Sequence, residues 1–227
     1  MTKTLSLILI SVIIFSCDSS TTSNDENTEQ SSTENVKRET LQTEPTEDKI
    51  VTVAIKDEKA LIATALQSVA PSKRENCTVK GYNIKGEFLT YKEGSNEIVC
   101  LADDPRKEGF SAASYHKSLE PFMARGRALK KEGKNGREIF EIREKEIKSG
   151  ELKMGDPGSM LHIYYGPNVI YDPETGSVSG AKHRFVVYLP FATSASTGLP
   201  ESPQESDHPW IMDPGTHKAH IMITPKN

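Results

Sequence analysis

Hydrophobic and polar positions divide the chain into three regions with different patterns. Residues 5–16 carry no charge and are mostly Leu, Ile and Val, whereas residues 18–49 contain only two aliphatic side chains, Val36 and Leu41. From Ile50 onwards, apolar residues recur at the spacings of helices and strands. We therefore predict an apolar N-terminal segment, a polar linker and one folded domain over residues 50–227.

The domain contains patterns of both element types. Apolar residues at helical spacing predict helices over residues 57–69, 118–134 and 136–150, the second with a basic C-terminal end. Short β-type runs predict strands at residues 77–83, 87–94, 97–103, 159–166, 168–176, 183–191 and 218–224. The first three strands follow one another across short turns and predict a meander. The predicted fold is α+β: a single domain with a helical pair inserted between two groups of antiparallel strands.

The N-terminal apolar segment has the features of a signal peptide. Lys3 precedes 12 uncharged residues, which is fewer than the ~20 that a membrane-spanning helix needs. The segment ends in Ile14-Phe15-Ser16-Cys17, which resembles the lipobox of bacterial lipoproteins. That resemblance implies a signal peptide over residues 1–16 and lipidation of Cys17. The thiol would take a diacylglycerol, and the new amino group would take a further acyl chain such as palmitate.

Residues 17–49 are expected to form a disordered tether. Of the 32 residues after Cys17, 12 are Ser or Thr and nine are Asp or Glu. Such a composition buries too little apolar area to offset the entropy of ordering the chain. The tether would hold the domain away from the membrane to which Cys17 is anchored.

Two acidic features near Cys17 bear on location. Asp25-Glu26 is similar to the acidic export signals of surface lipoproteins in the Bacteroidota. Asp18 is similar to the inner-membrane retention signal of enteric bacteria. We expect a lipid-anchored protein of the cell envelope, on the outer membrane, with the periplasmic or surface face left open.

The charge distribution argues against a nucleic-acid partner. The chain has a formal charge of −4, of which −6 falls on residues 18–49 and +1 on Lys3, so residues 50–227 sum to +1. Bases and acids are mixed there, without the basic stripe that nucleic-acid binding requires. The partner expected from sequence is the membrane, and any protein or small-molecule partner stays open.

Two cysteines remain after Cys17. Cys77 and Cys100 fall on neighbouring predicted strands, and a cysteine pair in an exported domain usually forms a disulfide. A disulfide that closes the loop between Cys77 and Cys100 would stabilise the domain by on the order of 3 kcal/mol in the chain-entropy model. Two free buried thiols are the alternative.

The segment His208–Ile223 is the candidate for chemistry. It supplies four potential zinc ligands, namely His208, Asp213, His217 and His220. The sequence Asp213-Pro214-Gly215-Thr216 is also a strong turn signal, and in a strand His220 would share a buried face with Met222. We expect a turn between strands, with a zinc site as the alternative.

The other motifs in the sequence do not identify a function. Ser114 and Lys117 match the Ser-x-x-Lys of serine acyl-transferases, without the accompanying elements of that family. The half from about Tyr165 to Ile223 resembles uncharacterised exported bacterial proteins with similar Leu-Pro-Phe and His-Pro-Trp segments, which implies no activity. The sequence therefore predicts a non-catalytic binding or structural module without a cofactor. The alternative is a metal-dependent hydrolase that uses zinc at His208–His220.

Overall fold

The computed structural model describes residues 55–226. Its helices are α1 (Glu58–Leu66), α2 (Glu120–Lys131), α3 (Gly136–Ser149) and the short α4 (Ser194–Thr197), with 3₁₀ turns at Pro71–Asn76 and Lys117–Leu119. All three predicted helices are present and end within a few residues of their expected bounds. The predicted signal peptide, the lipidation site Cys17 and the predicted tether lie outside the described residues.

The strands form one large sheet and a small hairpin. They are β1 (Thr78–Tyr82), β2 (Phe88–Lys92), β3 (Ile98–Leu101), β4 (Phe110–His116), β5 (Met160–Gly166), β6 (Ile170–Tyr171), β7 (Val178–Ser179), β8 (Lys182–Tyr188), β9 (Trp210–Met212) and β10 (His220–Ile223). Eight of them lie in the order β2-β1-β3-β4-β5-β8-β10-β9, and β6 pairs with β7. The predicted α+β class is confirmed by the helices and the mostly antiparallel sheet. The helical pair α2 and α3 is inserted between β4 and β5, which are neighbours in the sheet.

The predicted meander of the first three strands is wrong. β3 does not follow β2 in the sheet but lies parallel to β1, on the other side of it. The connecting segment therefore crosses the beginning of β1. Gly94 makes this crossing possible, because a Cβ there would lie 2.3 Å from the carbonyl carbon of Cys77 and 2.4 Å from the Asn76 oxygen.

Helices cover both faces of the sheet. Neighbouring strand residues point to opposite faces, and Val99 packs in a cluster with Phe122 of α2, whereas Cys100 packs in a cluster with Ala65 of α1. The helix α1 packs on β1, β3 and β4, and we call this whole face of the sheet, including its continuation over β5 and β8, the α1 face. The helical pair covers the opposite face, where the largest cluster also takes in residues of β8 and β10.

Local interactions fix the ends of the helices. The Asp57 side chain accepts a hydrogen bond from the Ala60 amide at 2.9 Å and caps α1. Asn135 and Glu138 form a capping box at the beginning of α3. Gly150 ends α3 with φ +82°, a left-handed conformation that favours glycine.

Candidate functional site

The segment His208–Ile223 contains an antiparallel hairpin, which confirms the predicted turn between strands. His220 pairs with Met212, and Met222 pairs with Trp210. His220 and Met222 are 5% and 9% exposed, so the buried face predicted from their alternation is also confirmed. The hairpin does not assemble the predicted zinc ligands. Within residues 55–226, no three of those four side chains bring their ligand atoms within 4.8 Å of one another.

Three of those four residues interact with other groups. Asp213 forms an ion pair of 3.2 Å with Lys218. The Nδ1 atom of His220 lies 2.7 Å from the Lys218 carbonyl oxygen, and burial lowers the pKa of His220 although that carbonyl opposes the shift. Nδ1 of His208, whose side chain is 61% exposed, lies 3.5 Å from Oε2 of Glu205. Their surroundings are those of a structural hairpin.

His217 lies in an unusual environment beneath α3. Its side chain is fully buried between the rings of Phe122 and Phe140, whose centroids lie 5.9 and 4.7 Å from its own. Neither ring nitrogen has a hydrogen-bond partner within residues 55–226, and Oε2 of Glu144, at 3.6 Å from Nδ1, lies just beyond hydrogen-bond distance. Burial lowers the pKa of His217, and the charge of Arg143 lowers it further.

A different group of side chains forms a possible metal-binding triad. Glu205, Asp207 and His208 each offer a ligand atom, and these atoms lie within 4.8 Å of one another. The triad is largely exposed on the long loop before β9, and Lys226 forms an ion pair of 2.9 Å with Asp207. Of the three residues, only His208 belongs to the zinc ligands predicted from the sequence, because the two acidic residues lie in a loop without a ligand motif.

Cys77 and Cys100 are neighbours in the core. Both are completely buried on the α1 face, and the structure holds them as free thiols. The Cys77 thiol donates a hydrogen bond to the Lys73 carbonyl at 3.1 Å. Burial raises the pKa of Cys100, and the adjacent Cys77 raises it further. The predicted proximity is confirmed, and the disulfide itself stays a prediction.

The Ser-x-x-Lys pair lacks the geometry of a nucleophile and its base. Ser114 Oγ is buried and donates to the Ser68 carbonyl oxygen at 2.9 Å. Lys117 is exposed and pairs with Glu97 at 2.6 Å. Each side chain is thus engaged with a different group, and the arrangement does not support a serine hydrolase.

The structure brings together a groove that the sequence does not predict. The groove has a volume of about 640 Å³ and lies between the β1–β2 hairpin and the end of α2. Its lining residues are Tyr82, Gly86, Glu87, Phe88, Arg106, Arg127, Ala128, Lys130 and Lys131. We call it the cationic groove, because four of these residues are Arg or Lys and only one is acidic.

Arg106 is held rigidly at one wall of the cationic groove. Its Nε and Nη2 atoms donate to the two oxygens of Asp104, each at 2.8 Å, and the guanidinium lies 5.0 Å from the centre of the Tyr82 ring. The hydrogen bonds from Arg106 lower the pKa of Asp104. Gly86 leaves room for the guanidinium, because a Cβ there would lie 2.4 Å from Nη1. Asp104 uses two of the three guanidinium nitrogens, and Nη1 is left to donate to a ligand.

Arg127 lines the cationic groove from α2. Its guanidinium lies 4.4 Å from the centre of the Phe88 ring, and Nη2 donates to Glu120 at 2.7 Å. Burial alone would raise the pKa of Glu120, but hydrogen bonds from Tyr115 and Lys80 outweigh it and lower the pKa. Since Glu120 is shared between Arg127 and Lys80, its single negative charge faces two positive ones.

Lys130 and Lys131 complete the positive surface. Both are exposed in the last turn of α2, where cations are stabilised by the negative end of the helix. Neither forms an ion pair with the residues that the structure describes. Their charges are therefore available to a ligand, and the groove suits carboxylate or phosphate groups.

The sequence does not predict the cationic groove, because its lining residues come from three separated segments. Only the basic end of the second predicted helix was visible as a local pattern. Tyr82 and Phe88 come from a hairpin, and Arg106 follows β3. The unexpected parallel pairing of β1 with β3 brings these segments together.

Comparisons with known proteins found no relative from which a function could be transferred. No protein-family model matches the chain, and neither curated proteins nor solved structures give a match. Among residues 55–226, no helix has both the length and the apolar character that crossing a bilayer requires.

Proposed function

We propose that this protein is a lipid-anchored lipoprotein of the cell envelope, whose domain is a non-catalytic module that binds an anionic ligand. Support for the anchor comes from the apolar segment and the lipobox-like Ile14–Cys17. Support for the ligand comes from one observation, the convergence of four cations and two aromatic rings on the cationic groove. The preference for the outer membrane rests on sequence resemblance alone.

The groove offers two kinds of recognition. Arg106 and Arg127 are held in place by carboxylates and rings, so they lose little freedom when they donate hydrogen bonds to a carboxylate or phosphate. Lys130 and Lys131 are exposed point charges, which attract an anion at longer range. An extended ligand with several negative charges would engage both pairs.

Binding of two defined anions by the full-length chain tests this proposal. The probes are a fluorescein-labelled hexaglutamate peptide and sodium tripolyphosphate, which present carboxylates and phosphates respectively. We expect the double variant Lys130→Glu/Lys131→Glu to bind at least one probe about tenfold more weakly at low salt, an effect of about 1.4 kcal/mol. Raising the ionic strength to about 1 M, where the Debye length falls to about 3 Å, should weaken wild-type binding.

The matched control is Lys153→Glu/Lys182→Glu, which reverses two exposed lysines outside the groove. This control should bind like the wild type, apart from a small effect of net charge. Equal losses in both double variants would show binding to overall charge and would contradict a specific groove. Failure of the wild type to bind either probe would also count against the proposal.

A second candidate is the metal-dependent hydrolase. The observation that favours it is the triad Glu205, Asp207 and His208, whose carboxylate and imidazole donors are ligands of zinc. Elemental mass spectrometry of the purified protein tests it. About one zinc per chain, lost in His208→Ala, would support this candidate, and a metal-free protein after incubation with zinc would remove its basis.

A further inference from the structure

Two histidine rings lie side by side on the α1 face, just beyond the end of α1. The Nε2 atom of His162 on β5 is 3.0 Å from the Nδ1 atom of His183 on β8. They occupy diagonal positions on neighbouring strands, because His162 pairs with Phe185 and His183 pairs with Tyr164. The cationic groove and the triad on the long loop involve neither residue.

Neighbouring aromatic residues fix the orientation of both rings. The Phe185 ring lies 4.3 Å from the His162 ring, centre to centre. The Tyr164 ring stacks on His183 at 4.5 Å and an interplanar angle of 18°, and its hydroxyl donates to the Val178 carbonyl at 2.6 Å. The two imidazoles are thus held close together by their neighbours, so a small turn of each ring would direct both nitrogens at one metal ion.

The nitrogen separation suits two ligands on one metal ion. Imidazole nitrogens bind divalent transition-metal ions at about 2.0–2.1 Å. The 3.0 Å between His162 Nε2 and His183 Nδ1 therefore corresponds to a nitrogen–metal–nitrogen angle of about 94°. That angle is close to the 90° of tetragonal copper(II) or nickel(II) sites. Tetrahedral zinc would place the two nitrogens about 3.3 Å apart.

The surroundings of the pair leave access for a metal ion and its other ligands. Both histidines are partly exposed, and Met160, which is 45% exposed, precedes His162 by two positions on the same face. A pocket of about 260 Å³ beside His162 and Met160 leaves room for water ligands.

We propose that His162 Nε2 and His183 Nδ1 form a two-nitrogen binding site for a divalent transition metal, with copper(II) as the preferred ion. Without metal, the same two atoms share one hydrogen. Metal binding displaces that hydrogen from Nδ1 of His183, and Nε2 of the same ring takes it up. Copper(II) is preferred because its geometry matches and because its affinity for nitrogen ligands exceeds that of the other divalent ions of its series.

Copper(II) titration of the full-length protein, purified without a histidine tag, tests the site. We expect one equivalent to bind, with a tetragonal electron paramagnetic resonance spectrum showing coupling to two imidazole nitrogens. His162→Gln and His183→Gln should each weaken binding at least tenfold and remove one nitrogen from the coupling. Two independent variants, each checked by thermal unfolding, separate loss of a ligand from loss of the fold.

Two control variants identify other binding sites. His116→Gln removes a nearby exposed histidine that interacts with Ser118, and it should leave copper binding unchanged. His208→Ala removes the histidine of the loop triad and should also have no effect. If copper binding survives in both His162→Gln and His183→Gln, the pair is only a hydrogen bond and the proposal fails. Loss of binding in His208→Ala alone would move the metal to the triad and equally overturn it.

Discussion

At the scale of one side chain, the surroundings of His217 link stability to pH. The charged groups that affect it are Arg143 and Glu144 on α3 and Lys218 on its own loop, and burial together with the two cations lowers the pKa of His217. The unfolded chain takes up the proton near the ordinary pKa of about 6.5, whereas the folded chain does so only at lower pH. Stability is therefore complete above about pH 6.5 and decreases as the pH falls below it.

The variant His217→Leu should remove this part of the pH dependence. No hydrogen bond is lost, since neither ring nitrogen has a partner within residues 55–226, and leucine suits the site between Phe122 and Phe140. We expect urea unfolding to show a smaller loss of stability between pH 7.5 and pH 5 than in the wild type. His208→Ala, at an exposed histidine, should keep the wild-type dependence. An unchanged pH dependence in His217→Leu would contradict this account.

Predictability differs sharply between residues of the same hairpin. The burial of His220 follows from local alternation with Met222, and the sequence predicts it. The position of His217 against Phe140 and Glu144 depends on the packing of α3, which no local pattern specifies. The four predicted zinc ligands illustrate the same point, because proximity in sequence does not place side chains around a common point.

At the scale of elements, periodicity predicts the helices well and the strand order poorly. Asp57 and Asn135 cap α1 and α3 from the positions directly before these helices, so the signals that mark their beginnings are local. The parallel pairing of β1 with β3 depends instead on a crossing of two backbone segments. Short turns between β-type runs favour a meander, and the only local sign of the crossing is a glycine that also suits an ordinary turn.

Gly94→Ala should destabilise the protein strongly through that crossing. The atoms that an added Cβ would meet are backbone atoms of residues 76–78 at 2.3–2.4 Å, and they cannot move without disturbing β1. We expect a loss of about 3 kcal/mol in the free energy of unfolding, at the upper end of overpacking effects. Chemical denaturation of the full-length chain measures it.

Gly136→Ala is the matched control, because a Cβ there meets nothing within 4 Å at the beginning of α3. This variant should be neutral or slightly stabilising, since alanine restricts the unfolded chain and favours the helix. If Gly94→Ala were as stable as Gly136→Ala, the crossing would not require glycine. The explanation for the unexpected strand order would then be wrong.

At the scale of the whole molecule, charge and composition separate an acidic segment, residues 18–49, from a nearly neutral domain. Residues 18–49 carry −6, and residues 50–227 sum to +1. The cationic groove concentrates positive charge on one part of that nearly neutral domain, a property that total charge does not reveal. Composition therefore argues against a broad basic surface and says nothing about a local one.

The anchoring proposal rests on Cys17 and is tested by lipid incorporation. Cells grown with an alkyne analogue of palmitate should label the wild-type protein, and Cys17→Ala should show no label because the thiol is required for lipid attachment. Each buried methylene contributes about 0.8 kcal/mol, so two or more chains attached to Cys17 would hold the protein stably in membranes. Ser19→Ala, two residues away, should label normally. Labelling is more decisive than fractionation, since an uncleaved apolar segment of 12 residues can itself associate with membranes. Equal labelling of wild type and Cys17→Ala, or none of the wild type, would contradict lipidation at this cysteine.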